Sequence, residues 1–260
     1  MRPLYEQEMA SSFVRLVDHM GDDASIVQAA RVSYGPGTKT VSDDRALIRY
    51  LMRHQHSSPF EMVEFKFHVR VPIFVARQWL RHRTASVNEV SARYSIVKDD
   101  FFVPSELRAQ SKTAGQGSSG EVITEELLRL KQKASCDLAF HTYDELVRRG
   151  VARELARAHL PQSTFTEFYW KLNLHNLFHF LKLRISPGAQ PEIREPAQSI
   201  LEILKSIVPL ACEAFQDYVL DAVVFSGPEV RALQTGDTSA LAKSEQKELD
   251  TKKKTLVGEC

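Results

Sequence analysis

Cysteine is scarce in this chain and widely spaced. The 260 residues hold three, Cys136, Cys212 and Cys260, an odd number with no close pair. That excludes a disulfide framework and a CxxC metal site, and it fits a reducing compartment. Long apolar runs are missing as well. No stretch approaches the roughly 18 consecutive apolar residues that a membrane span needs. The opening residues, MRPLYEQEMASS, carry one basic residue and no apolar core, so no secretory signal is expected. Excess charge is absent too: 34 Lys and Arg face 33 Asp and Glu, a net +1. No global field therefore draws the chain to nucleic acid or to a membrane, and any anion site has to arise from local clustering. Neither GxGxxG nor GxxxxGK occurs, which excludes a Rossmann or Walker-type phosphate loop. A cytoplasmic protein is expected, long enough to bury a sizeable core.

What is present is strong periodicity. Residues 63–71 alternate strictly, with Val63, Phe65, Phe67, Val69 and Val71 on one side and Glu64, Lys66, His68 and Arg70 on the other. This is a strand with one buried and one polar face. Residues 12–20 and 163–172 also read as strands. Helices are expected over 23–33, ending at Gly35-Pro36-Gly37, and from a Ser42 cap to about His54. Further helices are expected from Pro72 to about Arg83, from Glu121 to Gly150, over 152–160, and from an Asn173 cap onward. Residues 191–223 read as mainly helical, interrupted or restarted at Pro196 and Pro209. Residues 110–120 (QSKTAGQGSSG) read as a flexible loop, and 235–260 as a polar, poorly ordered tail. The expected fold is α+β: an antiparallel or mixed sheet with a large helical portion, in one merged domain over 1–234.

The densest chemistry lies in residues 77–94. Arg77, Arg81, His82, Arg83 and Arg93 place up to five cationic groups among Thr84, Ser86, Asn88, Glu89 and Ser91. On a helix, Gln78, Arg81 and His82 would share a face. Guanidinium forks and hydroxyls are natural phosphate ligands. The same cluster also reads as a solvated basic face, or as an RNA-binding patch with Phe168, Tyr169 and Trp170 as stacking platforms. Ser91 has Glu89 and Arg93 nearby rather than a His-Asp pair, so it reads as a binding hydroxyl and not a nucleophile. His175 and His179 have the spacing of two metal ligands, but no third ligand accompanies them, so no metal is expected. Cys136 and Cys212 sit in apolar helical patterns and read as core.

Segment 81–94 (RHRTASVNEVSARY) resembles the signature of flavin-dependent thymidylate synthases: Arg-His-Arg, seven residues, then Ser. The resemblance covers roughly residues 12–223. It includes HxSPFE at 56–61, FxxxVxxPIFVARQWxRHR at 65–83, ARxxLP at 156–161 and LFHFLKLR at 177–184. It implies reductive methylation of dUMP to dTMP, with methylenetetrahydrofolate as carbon donor, NADPH as reductant and FAD as cofactor. It further implies that Ser58, Arg81, His82, Arg83, Glu89, Asn173, His175 and His179 hold FAD. Gln78, Trp79, Leu80, Arg81, Glu89, Val90, Ser91, Ala92, Arg93, Arg157 and Arg184 would line the dUMP site. Arg184 would stabilise the deprotonated uracil imide, with no protein nucleophile. The implied assembly is a homotetramer with active sites between subunits. The chain departs from the common family pattern at His175, often Arg, and His179, often Asn. It also departs at Pro187-Gly188, where Ser-His commonly precedes Ala-Gln.

Overall fold

A computed structural model describes residues 5–9, 12–33, 43–112 and 117–257. The Gly35-Pro36-Gly37 stop, the Ser42 cap and Cys260 lie outside these residues. The strands are β1 (Tyr5–Met9), β2 (Ser12–Met20), β3 (Glu64–Pro72), β4 (Ser86–Glu89), β5 (Leu107–Gln110), β6 (Ser118–Ile123) and β7 (Phe165–Asn173). The helices begin with α1 (Asp23–Val32), α2 (Asp44–Arg53), α3 (Ser58–Glu61), α4 (Ile73–Trp79), α5 (Glu126–Arg148) and α6 (Arg153–Ala156). They continue with α7 (Leu174–Arg184), α8 (Pro191–Lys205), α9 (Pro209–Phe215), α10 (Gly227–Thr235) and α11 (Lys243–Val257). The architecture is α+β, as expected.

Five strands form one antiparallel sheet in the order β1-β2-β3-β7-β4. β3 sits at its centre because its alternation is strict: Val63, Phe65, Phe67, Val69 and Val71 are all fully buried. Opposite it, β7 buries Phe168, Trp170 and Leu172 on the same face, with Phe67 paired to Trp170 and Val69 to Phe168. Trp79 from α4 and Phe180 from α7 close this layer, with ring centroids 4.7 Å apart and each about 5 Å from Trp170. The sheet therefore fixes where α4 and α7 end, and those ends carry the site.

Local rules account for most boundaries. Asn173 caps α7 by accepting from the Asn176 amide at 2.9 Å. Asp43 caps α2. Asp23 caps α9 from a distance in sequence, accepting from the Leu210 and Ala211 amides at 2.8 and 3.0 Å.

Several expectations are corrected. The helix after Pro72 ends at Trp79, not Arg83, so Gln78, Arg81 and His82 do not share a helical face. The chain must turn there to lay β4 along β7. Residues 118–123 pair with β5 as a strand, so α5 starts at Glu126 rather than Glu121. Pro196 does not interrupt α8, which runs through it with the ring buried.

The chain divides into two compact units, Met1–Glu213 and Ala214–Cys260. The stretch from 235, expected to be poorly ordered, instead contains α11. Its reason is apolar: Leu241 and Leu249 cluster with Ala232, and Phe225 packs against them. Ser226 and Glu229 form a reciprocal capping box on α10, and Lys252 donates to Glu229 at 2.7 Å.

Candidate active site

Arg184, the last residue of α7, stands among neutral partners. Its Nε donates to His82 Nε2 at 3.2 Å and its Nη2 to the Gln78 carbonyl at 3.1 Å. The second bond has a simple origin. A helix leaves its last carbonyls without internal partners, and Gln78 lies at the end of α4. Among the described residues Arg184 has no carboxylate partner. Burial lowers its pKa, yet a guanidinium stays protonated. The result is a half-buried, uncompensated cation held in one orientation. Gln78 is in turn tied by its side chain, whose Nε2 donates to Gln190 Oε1 at 2.6 Å.

His82 must be neutral at Nε2 to accept from Arg184. Burial first, then Arg184 and His179, hold its pKa down to about 4, from an ordinary 6.5. The His179 ring lies edge-on to it, centroids 5.6 Å apart. A depressed pKa means that the unfolded chain takes up this proton first as pH falls. The stabilising contribution is therefore complete above pH 6.5 and is lost as pH falls toward about 4. Thermal melts of wild type and His82→Gln should show the wild type's advantage shrinking between about pH 7.5 and about pH 5. A pH-independent difference would contradict this.

A second group of residues surrounds a cavity of about 810 Å³. Glu89, Val90, Ala92 and Arg157 line it, as do Arg70, Lys98 and Glu167. β4 pairs with β7, placing Glu89 opposite Phe168, and Glu89 accepts from Thr166 at 2.6 Å. The Val90 amide donates to the Glu167 carbonyl. Ser91 then opens a turn, its carbonyl accepting from the Tyr94 and Ser95 amides. Its hydroxyl faces the Arg93 amide at 3.3 Å, with no histidine beside it. Arg93 approaches Glu154 at 3.4 Å, both well exposed.

The remaining expected residues fall into three situations. Arg81 and Arg83 are exposed beyond the end of α4 and make no hydrogen bond or ion pair among the described residues. Ser58, His175 and His179 are exposed on α3 and α7. Trp79 is wholly buried in the aromatic layer, so its side chain cannot touch a ligand in this cavity. Leu80 is half-buried and its amide bonds back to Ala76. Asn173 spends its carbonyl oxygen on capping. Phe168 and Trp170 are buried, which takes two of the three rings from the expected base-stacking platform, while Tyr169 stays exposed and stacks on His68 at 5.0 Å.

Sequence reasoning missed Arg70, Glu167 and Gln190. Arg70 was visible as part of the polar face of β3. It pairs with Asp100 and reaches Glu167 at 3.4 Å. Gln190 stands in the Ala-Gln pair that the chain shares with the family pattern, but nothing local marks its partner, which lies 112 positions away.

The comparisons with known proteins place the chain in a family. The family model described as "thymidylate synthase complementing protein" matches residues 15–210. A flavin-dependent thymidylate synthase of Thermus thermophilus is 59% identical over 89% of this chain and 86% of its own. One from Treponema denticola is 51% identical, covering 85% of each. Among solved structures, a UMP/dUMP methylase from Streptomyces cacaoi, bound with 5-Br dUMP, superposes with a TM-score of 0.73. It shares 36% identity, over 80% of this chain and 96% of that one. A signature match over three quarters of the chain, half or more of the residues shared with several relatives, and a common fold lead to one conclusion: this chain belongs to the flavin-dependent thymidylate synthase family.

Proposed function

We propose that this chain converts dUMP to dTMP, with methylenetetrahydrofolate as carbon donor and NADPH as reductant. The observation that carries the reading is the Arg184 guanidinium, held by a carbonyl and a neutral imidazole and matched to no carboxylate among the described residues. A fixed, uncompensated cation stabilises an anion that develops beside it, without reorganising during the reaction. The deprotonated imide of uracil is such an anion.

FAD fits the chain's free groups. Arg81 and Arg83 are exposed and unpaired among the described residues, which suits a diphosphate. Ser58, His82, His175 and His179 would complete its contacts, with Glu89 and Asn173 as the weaker candidates because both side chains already have partners. The bound flavin supplies the reducing equivalents. The protein supplies orientation: Gln78 and Arg184 hold the base, while Arg93, Ser91, Ala92 and Arg157 hold the phosphate end. Val90 and Leu80 contribute backbone, and Trp79 supports the layer beneath. The Arg184 group and the Glu89–Arg157 cavity sit on different elements. Assembly as a homotetramer, with each site built between subunits, would join them. The proposal includes a cytoplasmic location without membrane or nucleic-acid partners; no helix among the described residues is long and apolar enough to cross a membrane.

No thiolate is needed. Cys212 is buried, and burial pushes its thiol up to about 12. Cys136 sits 3.4 Å from the Ser163 hydroxyl. Replacing all three cysteines with Ala should leave dUMP methylation largely intact. Abolished methylation in a folded triple variant would establish a thiolate mechanism. The central test is the spectrum of the purified protein. It should be yellow, bleach anaerobically with NADPH, and release tetrahydrofolate and dTMP when the other substrates are added. A protein that binds no flavin on reconstitution refutes the reading.

A further inference from the structure

Gln78 is gripped at both ends. Its carbonyl accepts from Arg184, and its side-chain Nε2 donates to Gln190 Oε1 at 2.6 Å. Gln190 stands at the N-cap position of α8, yet its side chain makes no capping bond to that helix. Asparagine or aspartate would serve a cap better. The amide is directed instead at the end of α4. α8 is well placed to act as a fixed post. Ile193, Ala197 and Ile200 on it are fully buried, and Arg108 clamps its first turn by donating to Glu192 at 2.5 Å. Both glutamines are partly shielded from water, where a hydrogen bond between neutral groups holds better than at an open surface.

From this geometry we infer that Gln190 is a positioning residue for the reaction: it holds the Gln78 amide in place beside Arg184. The inference rests on the proposed methylation of dUMP. One Gln78 N–H is committed to Gln190, which leaves its other N–H and its carbonyl oxygen to face the base. Without Gln190 the Gln78 side chain regains its rotamers. Binding the nucleotide must then order that side chain, and the cost appears in affinity for dUMP. The Pro187-Gly188 departure from the common family pattern lies beside this residue but leaves the contact intact. The Ala189 amide donates to the Ser186 carbonyl at 2.8 Å, closing a turn that delivers Gln190 to α4.

Gln190→Met keeps the length of the side chain and removes the acceptor. Gln190→Glu keeps an acceptor for Gln78 Nε2. In Gln190→Met, the Kd for dUMP by calorimetry and the KM for dUMP should both rise about three- to tenfold, the range of one neutral hydrogen bond. The melting temperature and dUMP-independent NADPH oxidation should stay near wild type. Gln190→Glu should recover most of the dUMP affinity. Unchanged dUMP affinity in Gln190→Met overturns the inference. So does a loss shared equally by dUMP-independent NADPH oxidation and melting temperature, because that marks a merely structural contact. Wild-type protein that binds no dUMP would refute the proposed function instead, and it would be recognised before any variant is compared.

Discussion

Arg184→Ala should slow methylation of dUMP by about a hundredfold or more, the effect of losing one preorganised electrostatic group. NADPH oxidation measured without dUMP should change far less, because no uracil anion forms in it. The competing account gives Arg184 a structural role at the end of α7, where a cation favours the helix dipole by under about 1 kcal/mol. The geometry makes the two separable. Among the described residues Arg184 makes two hydrogen bonds, to His82 and to the Gln78 carbonyl. Hydrogen bonds of a charged group are worth about 1.5–3 kcal/mol each, so their loss should lower the melting temperature by several degrees. A purely structural arginine would lower the melting temperature and leave the rate of the folded enzyme alone. Measuring both activities and the melting temperature on one preparation distinguishes the accounts. Methylation at the wild-type rate in a folded Arg184→Ala protein removes Arg184 from the catalytic residues.

The largest stability effect should come from Trp79→Ala. Trp79 is fully buried, 4.7 Å from Phe180 and 5.3 Å from Trp170 by ring centroid. Truncating a buried tryptophan costs about 3–5 kcal/mol, from lost transfer energy and the cavity left behind. In a chain of this size that corresponds to a fall of roughly ten degrees in melting temperature. Trp79→Phe should cost far less. The Trp79 indole N–H has no hydrogen-bond partner among the described residues, so the smaller ring gives up packing volume but no polar contact with them. This pair of variants also tests where Trp79 acts. A folded Trp79→Ala protein with wild-type stability and lost dUMP affinity would make Trp79 a substrate contact rather than a support beneath the site.

Much of the fold was legible before any coordinates. Strict alternation over 63–71 became the central strand. Asn173 capped its helix, and the Thr- and aromatic-rich run after Pro161 became β7. The misses have physical causes. The helix after Pro72 reads as continuous through Arg83 because arginine is a good helix former. It stops at Trp79 because β4 must reach back to pair with β7, a demand no local propensity contains. The tail from 235 is polar in composition, and composition hid two leucines, Leu241 and Leu249, that find an apolar cluster. The capping box at Ser226 and Glu229, with Pro228 inside it, was a readable signal for α10.

By itself the sequence determined the period of β3, β7 and the main helices, the α+β class, and the membership its signature segments carry. These depend on the order and spacing of neighbours. Only the tertiary structure decided which residues share a site. Arg184 and His82 are 102 positions apart, Gln78 and Gln190 112, and Glu89 and Thr166 77. No periodicity links such pairs. They meet because β3 and β7 pair in one register, and that register sets where α4 and α7 end. The charge state of His82 follows from the same packing. A histidine near 6.5 in solution becomes a neutral acceptor only once burial and a neighbouring guanidinium oppose its proton.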